Sequence, residues 1–277
     1  MTTRDTSAPG KPVIGVFDSG FGGLTVLRAL LPLIPGAHYI YLGDTARLPY
    51  GSKSRETITR YALSSARFLA DQGAELLVIA CNTATALALD DLKANLSIPV
   101  IGVIEPGAQA AKAQAEADVL VLATAATTQS RAYTQALTEL GLKAREKACP
   151  LLVPLVEEGW IDHRVNAAVT LEVLRIYLLE ALAEAPRAST LLLGCTHYPL
   201  LKPLIETTLR NLHHPMRVID SAEATAQAVA AHLTTTDSTA APTCEFYATD
   251  SIEKFQRLGS NFLGQPLGEV RLIDLGG

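Results

Sequence analysis

Short runs of consecutive apolar residues alternate along this chain with longer stretches whose apolar positions recur every three or four residues. The first run, at 13–17, ends in Asp18-Ser19-Gly20. A helical stretch at 24–33 follows and is closed by Pro32 and Pro35. A run rich in β-formers at 38–42 ends at Gly43-Asp44, and a polar loop at 45–54 leads to a helical pattern over 55–72 that Gly73 stops. The run at 76–80 continues straight into Cys81-Asn82-Thr83 and a helix to Asn95. A fourth run, 98–104, ends at Glu105-Pro106-Gly107. Short strands without polar alternation, each followed by a helix, predict parallel βαβ units with both sheet faces covered.

The pattern then starts again. Strands are expected at 119–123, 151–156, 191–193 and 217–219, with helices at about 129–140 and 165–183 and another from near Leu200. The third strand of each half ends in a small residue followed by cysteine, and those cysteines, Cys81 and Cys195, are 114 positions apart. This is an internal duplication of a whole half, with a period far too long for a solenoid. The fold class is therefore α/β, with two pseudo-symmetric, doubly wound parallel-sheet domains. The expected division is a flexible tail at 1–12, a first domain at 13–104 plus 217–277, and a second domain at 105–216. A helix is expected from Ala222, then a threonine-rich surface loop, LTTTDSTAAP, and a closing segment at 247–275 that completes one domain.

Composition narrows the function. Of 277 residues, 48% are hydrophobic and 18% charged, enough apolar material for a sizeable core and too much for disorder. The formal charge of −5, without a Lys/Arg run, provides no footprint for nucleic acid. No apolar stretch approaches the ~18 residues of a membrane span. The polar start, MTTRDTSAPGKP, lacks the apolar centre of an export signal, so a cytoplasmic protein with four free thiols is expected.

Ligands in open α/β sheets bind outside the carboxyl ends of the strands. Standing there are Asp18, Ser19, Asp44, Cys81, Asn82, Thr83 and Glu105 in the first half, and Thr124, Glu157, Cys195, Thr196, His197, Asp220 and Ser221 in the second. Capping of the following helix accounts for many Ser, Thr, Asn and Asp at such places. It does not account for two cysteines. The DSGFGG turn lacks the third glycine of a dinucleotide fingerprint and the Gly-Lys-Ser/Thr of a P-loop, which leaves backbone amides approaching a small anion. Cys81, Cys195 and His197 are soft ligands, but their spacing does not suit zinc, and no metal is expected. Cys149, before Pro150 and the expected strand, and Cys244 read as packing residues, and His213-His214 as a solvent-exposed pair. Two thiols at matching strand ends suit stereoinversion at a carbon acid: one thiolate removes a proton and the other thiol returns one to the opposite face. Helix N-termini behind both cysteines, and His197 two residues from Cys195, are expected to favour the thiolate.

At these residues the chain resembles the bacterial glutamate racemases, cofactor-independent members of the aspartate/glutamate racemase family. The shared motifs are VFDSGFGGLTVL, GDTARLPYG, ACNTAT and GVIEPG, then PLVEEG, GCTHYPLL, DSAEATA and a late FLG. The resemblance implies an active site between the two domains. It also implies interconversion of L- and D-glutamate for peptidoglycan, without pyridoxal phosphate or metal. Cys81 would deprotonate D-glutamate and Cys195 L-glutamate, assisted by Asp18, Glu157 and His197. Substrate contacts would fall on Asp18, Ser19, Tyr50, Gly51, Asn82, Thr83, Thr196 and His197, where hydroxyl, amide and backbone donors can hold two carboxylates without a buried arginine. Arg47 is the one arginine near a strand end, and its loop reads equally as structural. Glutamate is the implied partner, with a homodimer as a candidate assembly and no membrane or direct nucleic-acid contact. Some relatives bind DNA gyrase, which the motifs leave open. Competing readings are an aspartate or hydantoin racemase and a binding protein that holds glutamate without exchanging its α-proton.

Overall fold

The computed structural model describes residues 11–116, 118–162, 166–233 and 240–276. Nearly all of the expected tail, the first position of the helix expected from 165 and most of the threonine-rich stretch lie outside them. The first half runs β1 (Val13–Asp18), α1 (Leu24–Leu33), β2 (His38–Gly43), α2 (Arg55–Asp71), β3 (Leu76–Ile79), α3 (Asn82–Asn95), β4 (Val100–Gly102) and α4 (Ile104–Gln114). The second runs β5 (Asp118–Ala123), α5 (Ala125–Ser130), α6 (Ala132–Glu139), β6 (Ala144–Ala148), α7 (Leu152–Glu157), α8 (Ala167–Glu184), β7 (Ala188–Gly194), α9 (Lys202–Asn211), β8 (Arg217–Asp220) and α10 (Ser221–His232). β9 (Thr243–Ala248), α11 (Ile252–Leu263) and β10 (Val270–Leu272) follow.

The strands form two sheets, β10-β9-β2-β1-β3-β4 and β6-β5-β7-β8, with every pairing parallel. The order β2-β1-β3-β4 in one is the order β6-β5-β7-β8 in the other, as a duplicated unit requires. The central strands are buried on both faces, which is why they read as unbroken apolar runs. Side-chain caps start several helices: Ser54 accepts from Thr57 N ahead of α2, Thr124 from Thr127 N ahead of α5, and Asp220 from Ala222 N ahead of α10.

Four expectations need correction. The second strand of the second half is not 151–156 but β6, an edge strand paired only with β5, while 152–157 forms α7. The segment Ala144-Arg145-Glu146-Lys147-Ala148 carries three charged residues because an edge strand is half-buried, so it shows no apolar run. The apolar LLVPLV suits a short helix equally well, and Pro154 sits in its first turn, where its missing N–H costs nothing. Cys149 therefore follows a strand rather than preceding one, and its N–H donates to Ala123 O at 2.9 Å. The helix expected at 129–140 is two helices, α5 and α6, broken at Arg131 with φ 58°. Finally, β8 hydrogen-bonds to β7 in the second sheet, so 217–220 joins the second half and not the first. The closing segment does complete the first sheet, through β9 and β10.

Candidate active site

β3 delivers Cys81 to the N-cap of α3, where its Sγ accepts the Ala84 N–H at 3.4 Å and its thiol donates to Ser19 Oγ at 3.5 Å. The side chain is 5% exposed. Burial pushes its pKa up to about 12 and the charge of Asp18 adds to this, while the Ala84 amide and Ser19 oppose it. Asp18, at the end of β1, is itself buried. One oxygen accepts the Gly20 N–H at 2.9 Å, and Oδ1 has no partner. Burial raises its pKa, against the charge of His197 and the amides of Gly20, Gly23 and Ser19. The glycine-rich turn thus aims its amides at the chain's own carboxylate. Its glycines serve close approach: a Cβ at Gly22 would lie 2.3 Å from Thr196 Oγ1 and 2.6 Å from His197 Nδ1, across the junction of the two halves.

Cys195 follows β7 and is also 5% exposed. A short three-ten turn, Tyr198–Leu201, separates it from α9, so it does not cap an α-helix as expected. Burial pushes its thiol well up, the His197 amide offsets part of this, and the charge of Cys81 adds to it. The two thiols are therefore within electrostatic reach of each other. For both, the expected preference for thiolate is overturned: removal from water outweighs what the helix ends and His197 supply. The His197 ring packs edge-on to Phe262, with centroids 4.9 Å apart. Its Nε2 lies 3.3 Å from Glu157 Oε1 and its Nδ1 3.4 Å from Thr196 Oγ1. Glu157 stands at the last position of α7, not at a strand end. Burial acts to raise its pKa, but the hydrogen bond and charge of His197, with Lys254, hold it below the usual carboxylate range.

Of the substrate candidates, Thr83 joins a hydroxyl cluster across the two halves: its Oγ1 lies 3.0 Å from Thr124 Oγ1 and 3.2 Å from Thr127 Oγ1. Asn82 Nδ2 donates to Tyr133 OH at 2.7 Å, and its Oδ1 is buried without a partner. Gly51 faces Thr124, where a Cβ would stand 3.3 Å from the threonine Cβ. The Tyr50 hydroxyl is committed elsewhere. It donates to Asp44, which also accepts from Thr249 at 3.0 Å and pairs with Arg47 at 3.2 Å. Arg47 stacks over Tyr61, so its loop is structural and any ligand contact of the Tyr50-Gly51 pair comes from the backbone. Glu105 is exposed, Asp220 accepts from Ala222 N as a helix cap, and the Ser221 hydroxyl donates to Leu193 O.

Sequence reasoning did not carry Thr127, Tyr133, Phe21, Phe262 or Lys254 into the site, and noted Thr124 only as a strand end. Thr124 and Thr127 had a signal in their cap spacing. Tyr133 and Lys254 had none, since their partners lie 51 and 97 residues away. Cys149 is fully buried, Cys244 lies within β9, and His214 is half-buried with Nε2 3.1 Å from Ala188 O, so of the histidine pair only His213 is exposed. Among the described residues, no group of three or more His, Cys, Asp and Glu is arranged to hold a metal ion, and no helix is long and apolar enough to cross a membrane. A surface cavity of about 900 Å³ lies along α2 and is lined by neither thiol.

The chain has counterparts among known proteins in family and fold. Residues 10–229 match the model of the Asp/Glu/Hydantoin racemase family. A glutamate racemase of Koribacter versatilis is 50% identical over 294 aligned positions, covering 96% of this chain and 99% of that protein. The glutamate racemase of Thermus thermophilus, solved with beta-chloro-D-alanine, superposes with a TM-score of 0.84 at 42% identity, over 96% of this chain and 98% of its own. That of Francisella tularensis, solved with D-glutamate, gives 0.84 at 34% identity over the same shares. A repeated strand order that ends twice in a thiol is matched by likeness along nearly the whole length, and the chain belongs to the Asp/Glu/Hydantoin racemase family.

Proposed function

We propose that the chain is a glutamate racemase that inverts the α-carbon by passing protons through Cys81 and Cys195. The observation that carries the reading is that two buried thiols, from matching strand ends, flank one glycine turn, where Gly22 abuts Thr196 and His197 and Gly23 abuts Asp18 and Ala80. Burial raises both thiols and so favours their protonated forms. A bound substrate brings an α-ammonium beside Asp18, and that positive charge favours loss of one thiol proton. The thiolate so formed is a stronger base for having been removed from water.

From D-glutamate, the Cys81 thiolate takes the α-proton and leaves a carbanion. The Cys195 thiol gives its proton to the opposite face and becomes the thiolate. From L-glutamate the roles reverse. Asp18 serves the Cys81 side, and His197 with Glu157 serves the Cys195 side. The hydroxyls of Thr83, Thr124 and Thr127 and the backbone of Ser19, Gly51, Asn82 and Thr196 supply donors for the two carboxylates. Both bases come from the chain, so the reading requires neither pyridoxal phosphate nor metal. It places the enzyme in the cytoplasm, supplying D-glutamate for peptidoglycan.

The test is proton NMR of L-glutamate with the purified protein in heavy water, without added cofactor, with a chiral assay alongside and aspartate as a control. The α-proton signal should disappear as D-glutamate forms, with deuterium in the product well before it enters recovered substrate. Activity that needs pyridoxal phosphate, faster turnover of aspartate, or binding without exchange sinks the proposal.

A further inference from the structure

Lys254 stands on α11, in the segment whose strands complete the first sheet, yet its ammonium donates to Glu157 Oε2 at 3.4 Å on the second half. The other oxygen of Glu157 lies 3.3 Å from His197 Nε2. The carboxylate is thus shared, one oxygen to the imidazole and one to the ammonium. Helix α11 reaches the same histidine again through Phe262, whose ring meets His197 edge-on. The Lys254 ammonium also lies 5.6 Å from the centre of the Phe21 ring, which packs against both His197 and Phe262.

Lys254 is 48% exposed, and an ion pair so open to water contributes little to folding. A carboxylate held by the imidazole alone can swing about its last bond, and a second partner on the far oxygen restricts that rotation. We infer that Lys254 is a positioning residue for the Cys195 half of the site, acting across the junction of the two halves through Glu157 to orient His197. The inference rests on the racemase reading above and adds to it a residue with no signal in the sequence.

The experiment compares Lys254→Met, Lys254→Arg, Glu157→Gln and the Lys254→Met/Glu157→Gln double variant. The measurements are kcat and KM on glutamate, melting temperature, and histidine ring signals by ¹H–¹⁵N NMR, with those of His197 assigned by their loss in His197→Asn. Lys254→Met should lower kcat by about fivefold with KM and melting temperature little changed, and Lys254→Arg should recover activity to within about twofold. In the Glu157→Gln background, Lys254→Met should cost less than about 1.5-fold more, because residues that act as one chain are not additive. The His197 ring signals should move in Lys254→Met and return in Lys254→Arg. An equal loss in both backgrounds, or unmoved His197 signals, overturns the inference. A wild-type protein inert toward glutamate would overturn the racemase reading, while the ring signals, which need no turnover, would still decide the role of Lys254.

Discussion

The Cys81 and Cys195 sides of the site share a strand order and differ in what surrounds the sulfur. Cys81 caps a full α-helix and faces Asp18, a 1% exposed carboxylate with one unpartnered oxygen. Cys195 precedes only a three-ten turn, and beside it His197, Glu157 and Lys254 form a chain that ends at a half-exposed ammonium. Duplication of the half placed both thiols, because a position at the end of the third strand is a property of the fold. The groups beside each sulfur differ between the copies, and on the Cys195 side Lys254 comes from the segment that completes the first sheet. A single buried charge has no alternative partner, whereas a chain that reaches water can be re-solvated when one link is lost. Deletions on the Cys81 side should therefore cost more.

The largest effect tests what the two sides have in common. Cys81→Ser and Cys195→Ser should each lower kcat/KM by at least ~100-fold. The loss must be equal from either enantiomer, since the equilibrium constant between them is one. Serine keeps the volume, so circular dichroism should show a folded protein. Near-normal turnover in either folded variant ends the two-thiol account.

The next pair probes the difference. Asp18→Asn should lower kcat/KM by about 100-fold, the low end of the usual range for positioned acid–base groups, and Glu157→Gln by nearer 10-fold, below it. With α-deuterated substrates, Glu157→Gln should raise the isotope effect from L-glutamate and Asp18→Asn that from D-glutamate, as each slows the abstraction on its own side. Identical changes in both directions would show that the two sides are not separately equipped.

A smaller effect is expected where the halves meet. Tyr133→Phe removes the acceptor of the Asn82 amide and leaves a buried donor unpaired, which costs about 1–3 kcal/mol of stability in chemical denaturation. An unchanged denaturation midpoint would mean that water replaces the hydroxyl.

Cys149→Ser and Cys244→Ser should keep turnover within about threefold, with at most ~1 kcal/mol lost. Cys149 also has a signature in pH. Burial pushes its thiol up to about 12, despite Lys147 nearby. The folded protein then keeps that proton while the unfolded chain, with a thiol near its ordinary value, begins to lose it. The stabilisation is complete below the unfolded pKa and lost as pH rises toward the folded one, between about 9 and 12. Cys149→Ser should flatten the fall of stability with pH there by up to about 1.4 kcal/mol per unit. An unchanged slope would show that the thiol ionises as readily when folded.

Much of this was legible in the order of residues. The buried central strands β1, β3, β5 and β7 read as apolar runs because water is absent from both faces, and the polar residues after them mark the edge where a ligand can sit. The repetition of small residue–Cys at the third strand located both thiols, and the shared motifs pointed to Asp18, Glu157 and His197. The edge strand β6 was hidden, since a half-exposed ladder tolerates charge, and the apolar α7 was mistaken for a strand because period alone does not separate short buried elements.

Other features follow from contacts between residues far apart in the chain. The Tyr50 hydroxyl turns to Asp44, Thr83 meets Thr124 and Thr127, Asn82 meets Tyr133, and Glu157 is shared between His197 and Lys254. The thiols are held protonated by burial where local helix ends argued for thiolate. Periodicity and spacing report how one segment meets a generic core and where the chain must turn, because those are set by each residue's own polarity and backbone. Which side chains meet across the junction of the two halves, and how much water they lose there, depends on the packing of two sheets against each other, which no local pattern encodes.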